Sequence, residues 1–197
     1  MEWNQISDEE MQTRVSRWDK REVIPIQKML PPELNRELIA DQVFGVVTSN
    51  SENDPQNFFD TAPIQSGVGG VAVSIVSCPS HQGPGNHVHQ FTYENFMPLS
   101  GRWRIYWGDS SEHHVDLDQW DMVSVPPGAM RRFENLSDER AHMFVMAYGE
   151  GKLDNDIYVP PEEIARLREK FGGEHTELID RIEQAQAKPT WSKVSNS

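Results

Sequence analysis

The stretch that most constrains this chain is residues 85–101, GNHVHQFTYENFMPLSG. His87 and His89 are separated by one residue, so on a β-strand both side chains leave the same face. Glu94 follows at a distance that lets the strand end or bulge and return a carboxylate to the same place. Two imidazoles and one carboxylate on one side of a divalent first-row metal form a facial set, with the opposite positions open to substrate and oxygen. A His-X-His pair alone is more often a surface pair on a strand than a metal site. Glu94, and Gly101 at a place where a turn is wanted, shift that balance toward a metal.

The chain around this stretch reads as strands. In residues 70–78, GVAVSIVSC, Val71, Val73 and Ile75 form one alternate set. On HVHQF, Phe91 is expected on the face of His87 and His89, with Val88 and Gln90 on the other. RWRIYWG alternates Trp103, Ile105 and Trp107 against Arg102, Arg104 and Tyr106. The apolar set should point inward, and the basic set with Tyr106 is expected outside, as a dimer contact. His113 and His114 are adjacent and so point to opposite faces, which marks one or both as surface residues. Arg131 and Phe133 share a face. HMFVMAY sets His142, Phe144 and Met146 against Met143, Val145 and Ala147, and since both sets are largely apolar the period does not say which lies inside.

The ends of the chain read as helices. Ser7 with Glu10 three residues on is a capping-box pattern, and Met11, Val15 and Trp18 recur at helical spacing, predicting a helix from Ser7 to about Lys20. EVIPIQKML is expected as an extended edge segment because Pro25 cannot donate to a ladder. Pro31 and Pro32 open a short second helix. Phe44 to Thr48 is a predicted strand, and residues 49–60 form a polar loop rich in turn residues. Pro160 and Pro161 start a helix with an Ile164, Leu167 and Phe171 stripe, and a further helix around residues 176–187 carries Leu178, Ile179 and Ile182.

Two motifs in this order resemble those of the cupin superfamily. The first is the His-X-His, Glu, Gly series of residues 87–101, although Gly83 and Gly85 both miss the usual spacing of the motif's leading glycine. The second is residues 121–135, with Pro126, Gly128 and Asn135 in place. Trp120 stands where the family has a glycine, and Arg131 where it has its third histidine ligand. The resemblance implies an all-β jelly roll, the double-stranded β-helix, over residues 67–150. An N-terminal extension of helices, edge strand and loop (1–66), a C-terminal helical extension (151–191) and a disordered tail (192–197) would flank it.

Arg131 changes the expected chemistry, because a guanidinium stays protonated and has no lone pair to give a metal. Three arrangements remain open. His87, His89 and Glu94 hold the metal alone; His142 supplies a fourth ligand; or no metal binds and Arg131 grips a carboxylate or phosphate. The first functional expectation is an Fe(II)-dependent dioxygenase, with Mn, Ni or Zn as alternative metals. Arg131 would orient a substrate anion or a bound oxygen species, with Phe91, Phe96, Trp103 and Phe133 an apolar pocket for an aromatic, phenolic or carboxylate substrate; in a redox-neutral reaction Tyr93 or Glu94 would be the catalytic group that moves a proton. The alternatives are a redox-neutral metal-assisted lyase, isomerase or hydrolase of a small acid or sugar, and a metal-free binding module.

Net charge narrows the partners. A formal charge of −13 repels phosphates, which argues against nucleic acid or an anionic membrane and for a small-molecule substrate. No apolar run approaches the ~20 residues of a membrane helix. The lone cysteine, Cys78, excludes an intrachain disulfide, and the acidic N-terminus lacks a signal-peptide h-region; a cytoplasmic homodimer is expected.

Overall fold

The computed structural model describes residues 3, 5–49, 64–66, 70–149 and 156–186. The polar loop from residue 50 on and the 192–197 tail lie outside them. In chain order the strands are β1 (Gln42–Ser49), β2 (Ile64–Ser66), β3 (Val71–Cys78), β4 (His87–His89), β5 (Thr92–Pro98), β6 (Trp103–Trp107), β7 (His113–Leu117), β8 (Val123–Val125), β9 (Met130–Asn135), β10 (Ala141–Gly149) and β11 (Ile157–Tyr158). They form a six-stranded sheet, β2-β1-β3-β10-β5-β8, and a five-stranded sheet, β11-β4-β9-β6-β7. All pairings are antiparallel except β1 with β2. From β3 onward the chain passes repeatedly from one sheet to the other, which is the winding of a double-stranded β-helix.

The core between the sheets is built from inward alternate residues. Phe96, Trp103, Ile105, Phe133, Met143, Val145, Val76 and Val125 pack as one buried cluster. On β10 the inward set is thus Met143 and Val145. On β3 it is Ala72, Ser74 and Val76, while Val71, Val73 and Ile75 look outward and are half-buried. On β6, Trp103 and Ile105 point in, whereas Trp107 at the strand end is exposed. The outward basic set of β6 is internally paired: Arg104 binds Asp116, and Tyr106 donates to Glu134 while Arg132 lies over its ring.

The helical flanks are α1 (Asp8–Gln12), α2 (Pro25–Met29), α3 (Pro32–Leu38), α4 (Pro161–Phe171) and α5 (Thr176–Ala185). Ser7 caps α1 by accepting the Glu10 N–H at 3.1 Å, but the helix stops at Gln12, and only a 3-10 turn follows at Trp18–Lys20. Met11 and Trp18 remain exposed, so the expected apolar stripe buries too little to extend a helix. The expected edge segment at Pro25 is instead α2, with proline at the first helical position where its missing N–H is harmless; only Val23 bridges to Phe44. Gln27 ties α2 to β1, its amide donating to the Ala40 carbonyl and accepting the Val43 N–H. Leu34 of α3 packs with Ile164 and Leu167 of α4 and Ile179 of α5 in a second small core, joining the two ends of the chain.

Turn chemistry separates two positions. Gly101 has φ +71°, a conformation that glycine adopts freely. Trp120 has φ +78° with a bulky side chain, at the position where the sequence motif has glycine.

Candidate metal centre

β4 and β9 are antiparallel neighbours with His87 opposite Arg131, so the two sequence motifs lie side by side. The Gly128 N–H of the second motif donates to the His89 carbonyl of the first at 2.8 Å. Across the barrel, β5 presents Glu94 from the other sheet. His87, His89 and Glu94 are all buried, and one donor atom from each lies within 4.8 Å of the other two. His89 Nε2 stands 3.4 Å from Glu94 Oε2. Metal–ligand bonds of about 2.0–2.2 Å put neighbouring donors roughly 3–3.5 Å apart, so this pair is spaced as ligands are.

Hydrogen bonds at the far side of each ring aim the histidines. His87 Nδ1 lies 3.0 Å from the Gly85 carbonyl, which makes Nδ1 the protonated nitrogen and leaves Nε2 with a lone pair. Burial holds the His87 pKa down to about 4, with His89 adding to the effect, so the ring is neutral at pH 7. His89 Nδ1 donates to Asp156 Oδ2 at 2.7 Å. Glu94 Oε2 is buried without a hydrogen-bond partner. A buried carboxylate oxygen left bare beside two imidazole lone pairs fits a divalent cation, and these three residues are the ones that would hold it.

Arg131 is fully buried. Its Nε donates to the Ala129 carbonyl at 3.2 Å and its Nη2 to the Pro126 carbonyl at 2.7 Å. Nη1 has no hydrogen bond and lies 3.5 Å from Glu94 Oε2. Burial pulls the Arg131 pKa down, against the pull of Glu94 and Asp156.

Asp156 was not among the sequence candidates. It follows β10 by several residues, and β11 then pairs with β4 at His89 and Val88. Its side chain is wholly buried and accepts the Phe91 N–H at 2.6 Å, the Thr92 N–H at 3.2 Å and the Thr92 hydroxyl at 2.6 Å besides His89. Burial raises its pKa, but His89, Thr92 and the Phe91 N–H outweigh this and hold it below the usual carboxylate range. Nothing near Asp156 in sequence marks it; its role depends on a hydrogen bond to a residue 67 positions away.

Several expected site residues lie elsewhere. His142 is on the outward face of β10, its ring 5.1 Å from that of Trp18, and cannot reach the centre from that side. Tyr93 faces out from β5, opposite to Glu94, stacked on Tyr148 with ring centroids 5.3 Å apart. Phe91 is exposed because β4 ends at His89, and the chain bends where the Gln90 N–H donates to the Asp156 carbonyl. Phe96, Trp103 and Phe133 are inside the barrel but sealed in the core, with Phe133 in ring contact with both others, so they offer no open wall to a substrate. His113 and His114 are both exposed.

A cleft of about 510 Å³ opens between α3, α4 and the β3–β4 loop, lined by Glu33, Arg36, Glu37, Gln82, Arg132 and Lys170 among others. It shares no residue with the buried triad; Glu33 on its rim belongs to a more exposed group with Glu174 and His175, and its other charges are spent: Glu37 on Arg166 and Lys170, Arg36 on Asp41. The buried triad, unlike this cleft, places two imidazoles and a carboxylate oxygen without a hydrogen bond together.

No family model matches the sequence, and no curated protein matches it. Solved structures do resemble it. A cupin protein from Bacteroides fragilis is 26% identical, with 43% of this chain and 70% of that chain covered and a TM-score of 0.38. A protein with a double-stranded β-helix domain from Klebsiella pneumoniae is 16% identical over 45% of this chain and 73% of that one, TM-score 0.40. A chain from crystal structures of the DMSP lyases RdDddP and RnDddQII is 11% identical over 71% and 61%, TM-score 0.49.

Proposed function

We propose that this cupin-fold barrel holds one divalent metal ion on His87, His89 and Glu94 and is an oxidoreductase of the non-haem Fe(II) dioxygenase type acting on a small organic substrate. The observation that carries the reading is the convergence of two buried imidazoles on a carboxylate with an oxygen that has no hydrogen bond. A ferrous ion in such a set supplies the redox chemistry that couples dioxygen to oxidation of an organic molecule. The chain's own residues supply the rest. Gly85 and Asp156 fix the ring orientations, the packed floor of Phe96 and Phe133 excludes water from below, and Arg131 presents a fixed N–H donor beside the ligands. A redox-neutral lyase or isomerase would need a group free to move a proton. Tyr93, the sequence's candidate, points away, and Glu94 is committed to the metal in this reading.

The test is elemental analysis after anaerobic reconstitution with Fe(II), Mn, Ni or Zn, followed by oxygen-uptake assays with small carboxylates and phenols. His87→Ala is the control, because it removes one ring donor whose own hydrogen bond is to the Gly85 carbonyl. One metal per chain, lost in His87→Ala, with oxygen uptake in the iron form alone, is expected. Absence of bound metal after reconstitution refutes the metal assignment, and metal binding without oxygen uptake refutes the dioxygenase assignment.

A further inference from the structure

We infer that the centre takes a small monocarboxylate, one oxygen of which accepts from Arg131 Nη1. This rests on the metal reading above and names the substrate class of that same site. Three observations lead to it.

The first is the free donor. Arg131 is immobilised through two of its three nitrogens by the Ala129 and Pro126 carbonyls, and the third, Nη1, is buried with no hydrogen bond. Buried guanidinium N–H groups are rarely left unpaired, and this one lies beside the ligand atoms. Glu94 Oε2 at 3.5 Å is too far for a good hydrogen bond, and with a metal bound that oxygen is engaged elsewhere.

The second is charge. The buried anions here are Glu94 and Asp156; the cations are Arg131 and a divalent metal, with the histidine ligands neutral. One positive charge is then uncompensated in a buried site, where an unpaired charge is costly. A monoanion removes the excess. A neutral ligand leaves it, and a dianion reverses it.

The third is size. The triad is less than a tenth exposed, and the aromatic residues beneath it are closed into the core. A phenolic ring therefore finds no apolar wall to lie on, whereas a carboxylate needs none. The nearest expected aromatic walls, Phe91 and Tyr93, face solvent outside.

The experiment is calorimetric titration of the Co(II)-loaded and the metal-free protein with pyruvate, with pyruvamide as its neutral counterpart and with catechol as a phenol, in wild type, Arg131→Gln and Arg131→Lys. Co(II) absorption provides a readout independent of turnover. In the loaded wild type, pyruvate should bind at least tenfold more tightly than pyruvamide or catechol and alter the Co(II) spectrum. Arg131→Gln should abolish the preference, and Arg131→Lys, which keeps the charge but not the fixed donor, should retain part of it. Equal binding of pyruvate and pyruvamide, or a preference unchanged in Arg131→Gln, overturns the inference while the metal reading stands. Failure to take up Co(II) overturns the metal reading and this inference with it, because without the metal the buried charges sum to one negative and a monoanion has no excess to cancel. If Arg131→Gln does not fold, the Arg131→Lys comparison decides: a pyruvate preference identical to wild type overturns the inference.

Discussion

Replacing Asp156 with asparagine should damage the metal site through the tautomer of His89. In the native protein Asp156 Oδ2 accepts from both His89 Nδ1 and the Thr92 hydroxyl, while Oδ1 accepts the Phe91 and Thr92 N–H groups. An asparagine has one acceptor oxygen, and the two backbone donors cannot reorient, so its oxygen must take the Oδ1 place. The amide NH2 then faces His89 and Thr92. The hydroxyl can rotate to accept from the amide or from His89 Nδ1 3.1 Å away, but the amide N–H facing Nδ1 favours the tautomer with the proton on Nε2, the atom that faces Glu94. Metal binding must reverse that shift, and loss of such an outer partner typically weakens metal affinity about 10–100-fold. Independently, two charge-assisted hydrogen bonds become neutral ones, which should lower the stability of the metal-free protein by about 1.5–3 kcal/mol. Asp156→Ala removes the acceptor of the Phe91 and Thr92 N–H groups, with His89 Nδ1 keeping Thr92 Oγ1 at 3.1 Å, and should cost about 3–5 kcal/mol. Competition against a chromophoric chelator measures the first effect and urea unfolding of the metal-free protein the second. Wild-type metal affinity in Asp156→Asn, with the stability loss present, would refute the tautomer argument and leave Asp156 as a strand fastener alone.

Gly85→Ala should destabilise by about 1–3 kcal/mol and weaken metal binding, since a Cβ there overlaps Glu163 Oε1, itself held by Arg166, while Gly85 orients His87; unfolding and metal titration of this one variant check both. Trp120→Gly should stabilise by about 0.5–1 kcal/mol, because a left-handed conformation at an exposed tryptophan is relieved and little buried area is lost; a higher urea midpoint is the expected result. Arg131→His should raise metal affinity at least tenfold by putting an imidazole donor opposite His87 and removing a like charge, read by chelator competition. Asp41 is partly buried, which raises its pKa, but Arg36 and Arg140 outweigh this and lower it. Its contribution, about 1 kcal/mol after solvent screening, is therefore present above the unfolded aspartate pKa of about 3.9 and is lost as pH falls through the lower folded value. The stability deficit of Asp41→Asn should accordingly be constant from pH 7 to about 5 and vanish in acid.

The strands of the barrel were legible because alternation is local. Trp103 and Ile105 against Arg104 and Tyr106 identify the inner face of β6 without reference to any other strand. The convergence of His87, His89 and Glu94 was legible for the same reason, since a two-residue period and a short return decide it. On β10 the period was equally clear but silent about direction, because the outer face of that sheet is apolar too. Phe44, Ile75, Phe144 and Met97 align in one row across β1, β3, β10 and β5, and His142 belongs to that outer face. Tyr93 could have been placed by parity, since it neighbours Glu94 and must point the other way. Phe91 was misplaced because parity fails where a strand ends, and the end is set by Asp156. The helix expected from Ser7 to Lys20 had a sound cap and a poor partner: the cap formed, and the turns beyond it found too little to pack against.

The parts that stayed hidden are those that wire the chain's ends to the centre. Gly85 stands between them. Its N–H donates to the Glu37 carbonyl of α3 at 2.7 Å, its bare Cα leaves room for Glu163 of α4, and its carbonyl orients His87. Asp156, on the segment leading to α4, does the same for His89. Each histidine is thus aimed by an element outside the motif strands, and α3 and α4 share one small core. Loosening that helical core should therefore disturb both rings, although neither helix contributes a ligand. An isolated β3–β10 barrel would keep the ligand residues and lose Asp156 and the helices that hold Gly85. The flanks thus position the two rings as much as the strands that carry them, since Gly85 and Asp156 hold His87 and His89 from outside those strands.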